Sequence, residues 1–153
     1  MNLSKNLTLA EVTKSATAER LEIDNSSMDD VVLENLKAIA TSVFQPARNA
    51  LGPIRVSSGY RSPALNKAIG GAATSQHSKG EALDLQGIRT GNEQIFHYIK
   101  DNLVFDQLIW EFGDDDEPDW VHVSYKRSGK NRNMVLKSVK VNGKTSYLNI
   151  TNN

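Results

Sequence analysis

Ser75-Gln76-His77-Ser78-Lys79-Gly80-Glu81-Ala82-Leu83-Asp84-Leu85 runs from a glycine-flanked polar loop into an apolar stretch, Ala82 to Leu85, that reads as a buried strand. A carboxylate between Leu83 and Leu85 is costly to bury without a partner or a metal. Partners of the right kind stand on either side. His77 lies in the loop just upstream, and a second strand, Asp119-Trp120-Val121-His122-Val123-Ser124, carries another histidine. Alternation sends His122 to the face opposite Val121 and Val123, together with Trp120 and Ser124. Two imidazoles and a carboxylate are a ligand set for a divalent metal, and three protein ligands leave a fourth tetrahedral position for water. A lone strand histidine is more often a hydrogen-bonded core or surface residue, and either spacing alone is weak. Their joint occurrence with buried flanks favours the metal. His77, Asp84 and His122 are the expected ligands of a catalytic zinc site.

Outward from this pair of strands, the chain reads as helices first and sheet behind. Thr8-Leu9-Ala10-Glu11 has the capping-box form and predicts a short helix. Ser27-Met28-Asp29-Asp30 opens a longer one, with Val32, Leu36, Ile39, Val43 and Ala47 on its inward face. Pro46 should kink that helix and Gly52-Pro53 should end it. Ile54 to Ser57 alternates as a short strand. Ser62-Pro63 opens a brief helix through Asn66, and residues near Glu93 to Asp101 form another, with Ile95, Phe96 and Ile99 inward. Gln107 to Phe112 alternates, with Leu108, Trp110 and Phe112 on one face and Gln107, Ile109 and Glu111 on the other. Asn142-Gly143 between apolar alternating runs predicts a hairpin with arms near 135–141 and 144–150. The expectation is one α+β domain over residues 1–153, N-terminal helices packed on a mainly antiparallel sheet.

Composition narrows the chemistry. The chain has 153 residues, enough for a real core, and 18 basic against 18 acidic residues, so net charge gives no argument for nucleic acid. Cysteine is absent, so any metal site must use nitrogen and oxygen ligands. Met1-Asn2-Leu3-Ser4-Lys5-Asn6 lacks the apolar core of a signal peptide, and no apolar run is long enough to span a bilayer. The expectation is a protein made in the cytoplasm, probing neither nucleic acid nor membrane interior, and monomeric.

Two further residues have alternative readings. Asp119, three before His122 and next to Pro118, suits a general base for the metal's water, or a turn residue. Arg61, in Ser57-Ser58-Gly59-Tyr60-Arg61-Ser62, suits a donor fork for a substrate carboxylate or scissile carbonyl, or a surface salt bridge. His97 reads as solvated. Lys126, Arg127, Lys130 and Arg132 read as a solvated basic loop, or a patch that meets an anionic polymer.

Taken together, Ser57-x-Gly59-Tyr60-Arg61-Ser62, Ser75-x-His77-x-x-Gly80-x-Ala82-x-Asp84 and Asp119-Trp120-Val121-His122-Val123-Ser124 resemble the M15 family of zinc peptidases. These are D-alanyl-D-alanine carboxypeptidases and related peptidoglycan endopeptidases, with a fold shared by the Hedgehog signalling domain. The resemblance is closest to phage-type, single-domain members. It implies zinc held by His77, Asp84 and His122, Asp119 as catalytic acid/base, and Arg61 as the group that binds and polarises substrate. It implies hydrolysis of peptidoglycan stem peptides, with action on the cell wall, as on release at lysis. Glu117 stands where some carboxypeptidase members carry a histidine, which leaves carboxypeptidase and endopeptidase action both open. The rival reading is a non-catalytic zinc-containing binding module of the same fold.

Overall fold

Eight strands and six helices are described in a computed structural model over residues 1–151. The expected domain, 1–153, therefore has its last two residues outside the described ones. A small hairpin of β1 (Asn2–Ser4) and β2 (Leu7–Thr8) opens the chain, unforeseen because its strands are too short to show a period. Thr8 then caps α1 (Leu9–Thr13), with the Thr8 and Glu11 exchange expected of a capping box. A second short helix, α2 (Ala16–Arg20), is capped by Ser15 and was also not foreseen.

Asp29 accepts from Val32 N to open α3 (Asp30–Ile39), and the chain continues through a π-helical turn at Ala40–Phe44 into α4 (Gln45–Leu51). The π turn sits just ahead of Pro46, which has no N–H to give and whose ring crowds the carbonyl four residues back. Gln45 N reaches Ala40 O instead, so the proline is accommodated by one wider turn. Gly52, at φ 85°, ends the helix.

The main sheet contains β3 (Ile54–Ser58), β4 (Ala82–Gly87), β5 (Gln107–Glu111), β6 (Trp120–Ser124), β7 (Met134–Val141) and β8 (Lys144–Asn149). Their order is β3-β4-β6-β5-β7-β8, antiparallel throughout except for the parallel pair β5 and β7. Asn142 and Gly143 both have positive φ, 51° and 77°, as a two-residue hairpin turn between β7 and β8 requires. Between β3 and β4 lies α5 (Pro63–Ala68), and between β4 and β5 lies α6 (Asn92–Asn102).

Alternation divides the sheet cleanly. Leu83, Leu85, Leu108, Trp110, Val121 and Val123 face the helices and join Leu36, Ile39, Phe44, Ile95, Phe96 and Ile99 in one buried cluster. Asp84, His122, Ile109, Glu111, Leu136 and Ser138 occupy the opposite parity on the same strands. The helices thus fill one face and leave the other for chemistry. Phe112 departs from the expected face: its φ of 54° breaks the alternation, and its ring borders the open-face cavity instead of the core.

Candidate metal centre

Sheet pairing brings the ligand-type residues together. Asp84 and His122 are direct cross-strand partners on β4 and β6, and His122 pairs in turn with Ile109 on β5. His77 arrives from the preceding loop, whose tight return depends on Gly80. At φ 73°, with a Cβ position only 2.7 Å from Val32 O, that site admits glycine alone without rearrangement. The turn lets the loop press against α3 and swing back into β4.

The donor atoms converge. His77, Asp84 and His122 each offer one ligand atom, all within 4.8 Å of one another. His77 Nε2 lies 3.4 Å from Asp84 Oδ2, and His122 Nδ1 lies 3.1 Å from Asp84 Oδ1. A tetrahedral ion with bonds near 2.0–2.1 Å sets its ligand atoms about 3.3 Å apart, so this spacing suits zinc. Both imidazoles use the remaining nitrogen elsewhere: His77 Nδ1–H donates to Gly59 O at 2.7 Å, and His122 Nε2 meets Gln76 Oε1 at 3.2 Å. Burial raises the Asp84 carboxyl, but the hydrogen bonds from His122 and His77 outweigh it and hold it well below the usual carboxylate range. It is an anion at neutral pH, as a ligand must be.

The three ligand-type residues line a cavity of about 560 Å³. Arg61 borders it as well, and also borders a second cavity of about 600 Å³ lined by Lys14, Arg55, Ser57 and Leu65 among others. Burial pulls the Arg61 guanidinium down, partly offset by Asp84, and its buried Nε has no hydrogen-bond partner among the described residues. The surface salt-bridge reading of Arg61 does not describe this placement.

Asp119 lies beside this cavity, in a neighbouring depression that shares Phe112 with it. Its amide donates to Glu111 O at 2.9 Å, and its carbonyl accepts from the side chains of Gln86 and Asn92. The bond to Glu111 O falls one residue out of the β5–β6 register, in which Glu111 pairs with Trp120, so Asp119 sits at a bend ahead of β6 and strand alternation does not set the direction of its side chain. It is exposed and borders a different depression, with Asp114, Lys137 and Lys140. The acid that the fold does bring to the ligand group is Glu111, on the same face as Ile109 and 7 % exposed. Burial pushes its carboxyl up; the Ser138 hydrogen bond and His122 pull it down, and Asp84 pushes it up again. Alternation had put Glu111 on this face, but only the cross-strand neighbours reveal it beside the ligands.

The family model for peptidase M15 matches residues 5–124. The chain belongs to the M15 peptidase family. No curated protein matches it. M15 peptidases are zinc-dependent in general, and this member presents a His-Asp-His group able to hold a metal. The match ends with β6, so the β7–β8 hairpin, which supplies Leu136, Thr145 and Tyr147 to the cavity wall, lies beyond it.

The other polar expectations resolve differently. His97 is exposed, edge-on to Phe96 and Trp110. The basic loop is not merely solvated: Arg132 Nη2 donates to the fully buried Asp106 at 2.8 Å, and Lys126 lies 4.0 Å from the same carboxylate.

Proposed function

We propose that this M15 peptidase is a zinc metallopeptidase that hydrolyses peptide bonds in the stem peptides of bacterial peptidoglycan. The carrying observation is the convergence of His77 Nε2, Asp84 and His122 Nδ1 on a cavity that also holds Arg61 and Glu111. Zinc held there supplies a Lewis acid that polarises a scissile carbonyl and makes water acidic enough to attack near neutral pH.

The chain's own residues do the rest. Glu111, its affinity for protons raised by burial, accepts one proton as water adds to the carbonyl carbon. Arg61 donates to the carbonyl oxygen as negative charge gathers there. The C–N bond then breaks, and Glu111 returns the proton to the departing amine. Asp119, the acid implied by motif position, borders the adjoining depression, which shares Phe112 with this cavity, and is the alternative proton carrier. The second cavity, which shares Arg61 with the first, offers room for more of an extended substrate.

Stem peptide as substrate rests on the motif resemblance to peptidoglycan-cleaving members. With it goes action on the cell wall by a monomer, without nucleic acid or membrane insertion. A binding module would need neither Glu111 nor Arg61 at the ligand group, which favours the enzyme. The test is mass spectrometry of fragments released from purified peptidoglycan by zinc-loaded protein. Loss of a terminal D-alanine identifies a carboxypeptidase, and internal stem cleavage identifies an endopeptidase. No release under any condition would leave the binding module standing.

A further inference from the structure

One hydrogen-bond chain leads away from the ligand group to a residue beyond the family match. His122 turns Nδ1 toward Asp84, which leaves Nε2 to be satisfied by Gln76 Oε1 at 3.2 Å. The other end of the same amide, Gln76 Nε2, donates to Asp106 Oδ2 at 3.3 Å. Asp106 is fully buried and is gripped by Arg132 through Nε at 2.9 Å, Nη2 at 2.8 Å and the backbone amide at 3.2 Å.

The polarity of this chain is determined from its far end. A buried carboxylate held by a guanidinium stays ionised and can only accept. The Gln76 group facing it must therefore be the NH2, which forces Oε1 toward His122. An oxygen there demands a hydrogen on Nε2, and a neutral imidazole with Nε2–H has its lone pair on Nδ1. That is the nitrogen facing Asp84, whose ionised carboxylate competes for a hydrogen on Nδ1 until a metal ion stands between the two. Without the anion at Asp106, the Gln76 amide is free to turn over and present NH2 to His122, which favours the opposite tautomer.

We propose that Arg132, Asp106 and Gln76 are positioning residues that bias His122 toward the tautomer whose Nδ1 lone pair faces the metal site, against the pull of Asp84 on that nitrogen. The proposal rests on the reading of His122 as a metal ligand, and it assigns part of the site to Arg132, outside the matched residues 5–124. Gln76 is half-buried and Arg132 is 47 % exposed at its side chain, so both can be altered without hollowing the core.

The test combines ring-nitrogen NMR of His122 in metal-free protein with zinc affinity measured by chelator competition. The parent, in which Gln76 and Asp84 pull on opposite nitrogens, should hold more of the Nε2–H tautomer than its variants. Gln76→Met should shift His122 toward Nδ1–H, paired with Asp84, and lower zinc affinity by about 10- to 100-fold, the usual cost of losing a group that orients a ligand. Arg132→Met should move both readouts the same way by less, and Arg132→Lys should restore part of them. Melting of the metal-free variants reports fold separately from affinity. Retention by Gln76→Met of the parent tautomer, or of zinc affinity within about twofold, overturns the proposal. If the parent binds no zinc, the metal reading fails, and the NMR arm alone still decides whether Gln76 sets the His122 tautomer.

Discussion

Glu111 and Ser138 are partners across the one parallel strand pair of the sheet, and Ser138 Oγ donates to Glu111 Oε2 at 2.7 Å. Both are buried, so the hydroxyl is the group that keeps an otherwise desolvated acid within reach of ionisation. Ser138 in turn pairs with Tyr147 on β8, so the C-terminal hairpin stands directly behind the proposed proton carrier.

If Glu111 carries the proton, Glu111→Gln should retain zinc and fold but lose on the order of 10²–10⁴ in turnover of stem peptides. Asp119→Ala should stay close to the parent. Steady-state release from peptidoglycan by equal amounts of zinc-loaded variants distinguishes them, and the opposite ranking restores Asp119 as the base.

Ser138→Ala removes a hydrogen bond that favours ionised Glu111, so the carboxyl should rise further. A base must be ionised to act. The acid limb of the kcat/KM profile should therefore move to higher pH in this variant, with turnover well above it nearly preserved. An unmoved limb would show that another group controls it.

The ligand set predicts about one zinc per chain, displaced by chelators, with occupancy strongly reduced in His77→Ala and in His122→Ala. Arg61→Ala should keep the metal and lose substrate turnover, and Arg61→Lys should recover only part because the planar fork is gone. Metal analysis alongside activity separates the two effects.

Asp106 is held below the ordinary carboxylate range: burial raises it, but Arg132 hydrogen bonds and charge win. Its contribution to stability is present above the unfolded value of about 4 and is lost as pH falls through the lower folded value. Melting of metal-free protein should therefore drop as pH is lowered from about 5 toward 3, and Asp106→Asn should flatten that slope. A slope identical in the variant would exclude Asp106 as a source.

Gly80→Ala should destabilise the fold by about 1–2 kcal/mol or more, since it forces a side chain into positive φ and against Val32 O. Denaturant unfolding measures this. Zinc affinity should fall with it, because the same turn aims His77.

The sequence by itself determined the local matters: which segments are strands or helices, the capping box at Thr8, the Asn142-Gly143 hairpin, and the residue types able to hold a metal. These follow from periods of two and three to four residues and from turn chemistry, which are written within a few positions. Two-residue strands such as β2 and the five-residue helix α2 escaped because they are shorter than a readable period. The tertiary structure alone decided what stands beside the ligands. Asp119 is three residues from His122 yet borders a neighbouring depression, whereas Glu111, on another strand, pairs with Trp120 and lines the cavity. The parallel pairing of β5 with β7 brought Ser138 to Glu111, and a loop contact tied Arg132 to Asp106 and on to Gln76. Such neighbours lie many residues apart and are joined by sheet order, which no local pattern in the chain encodes.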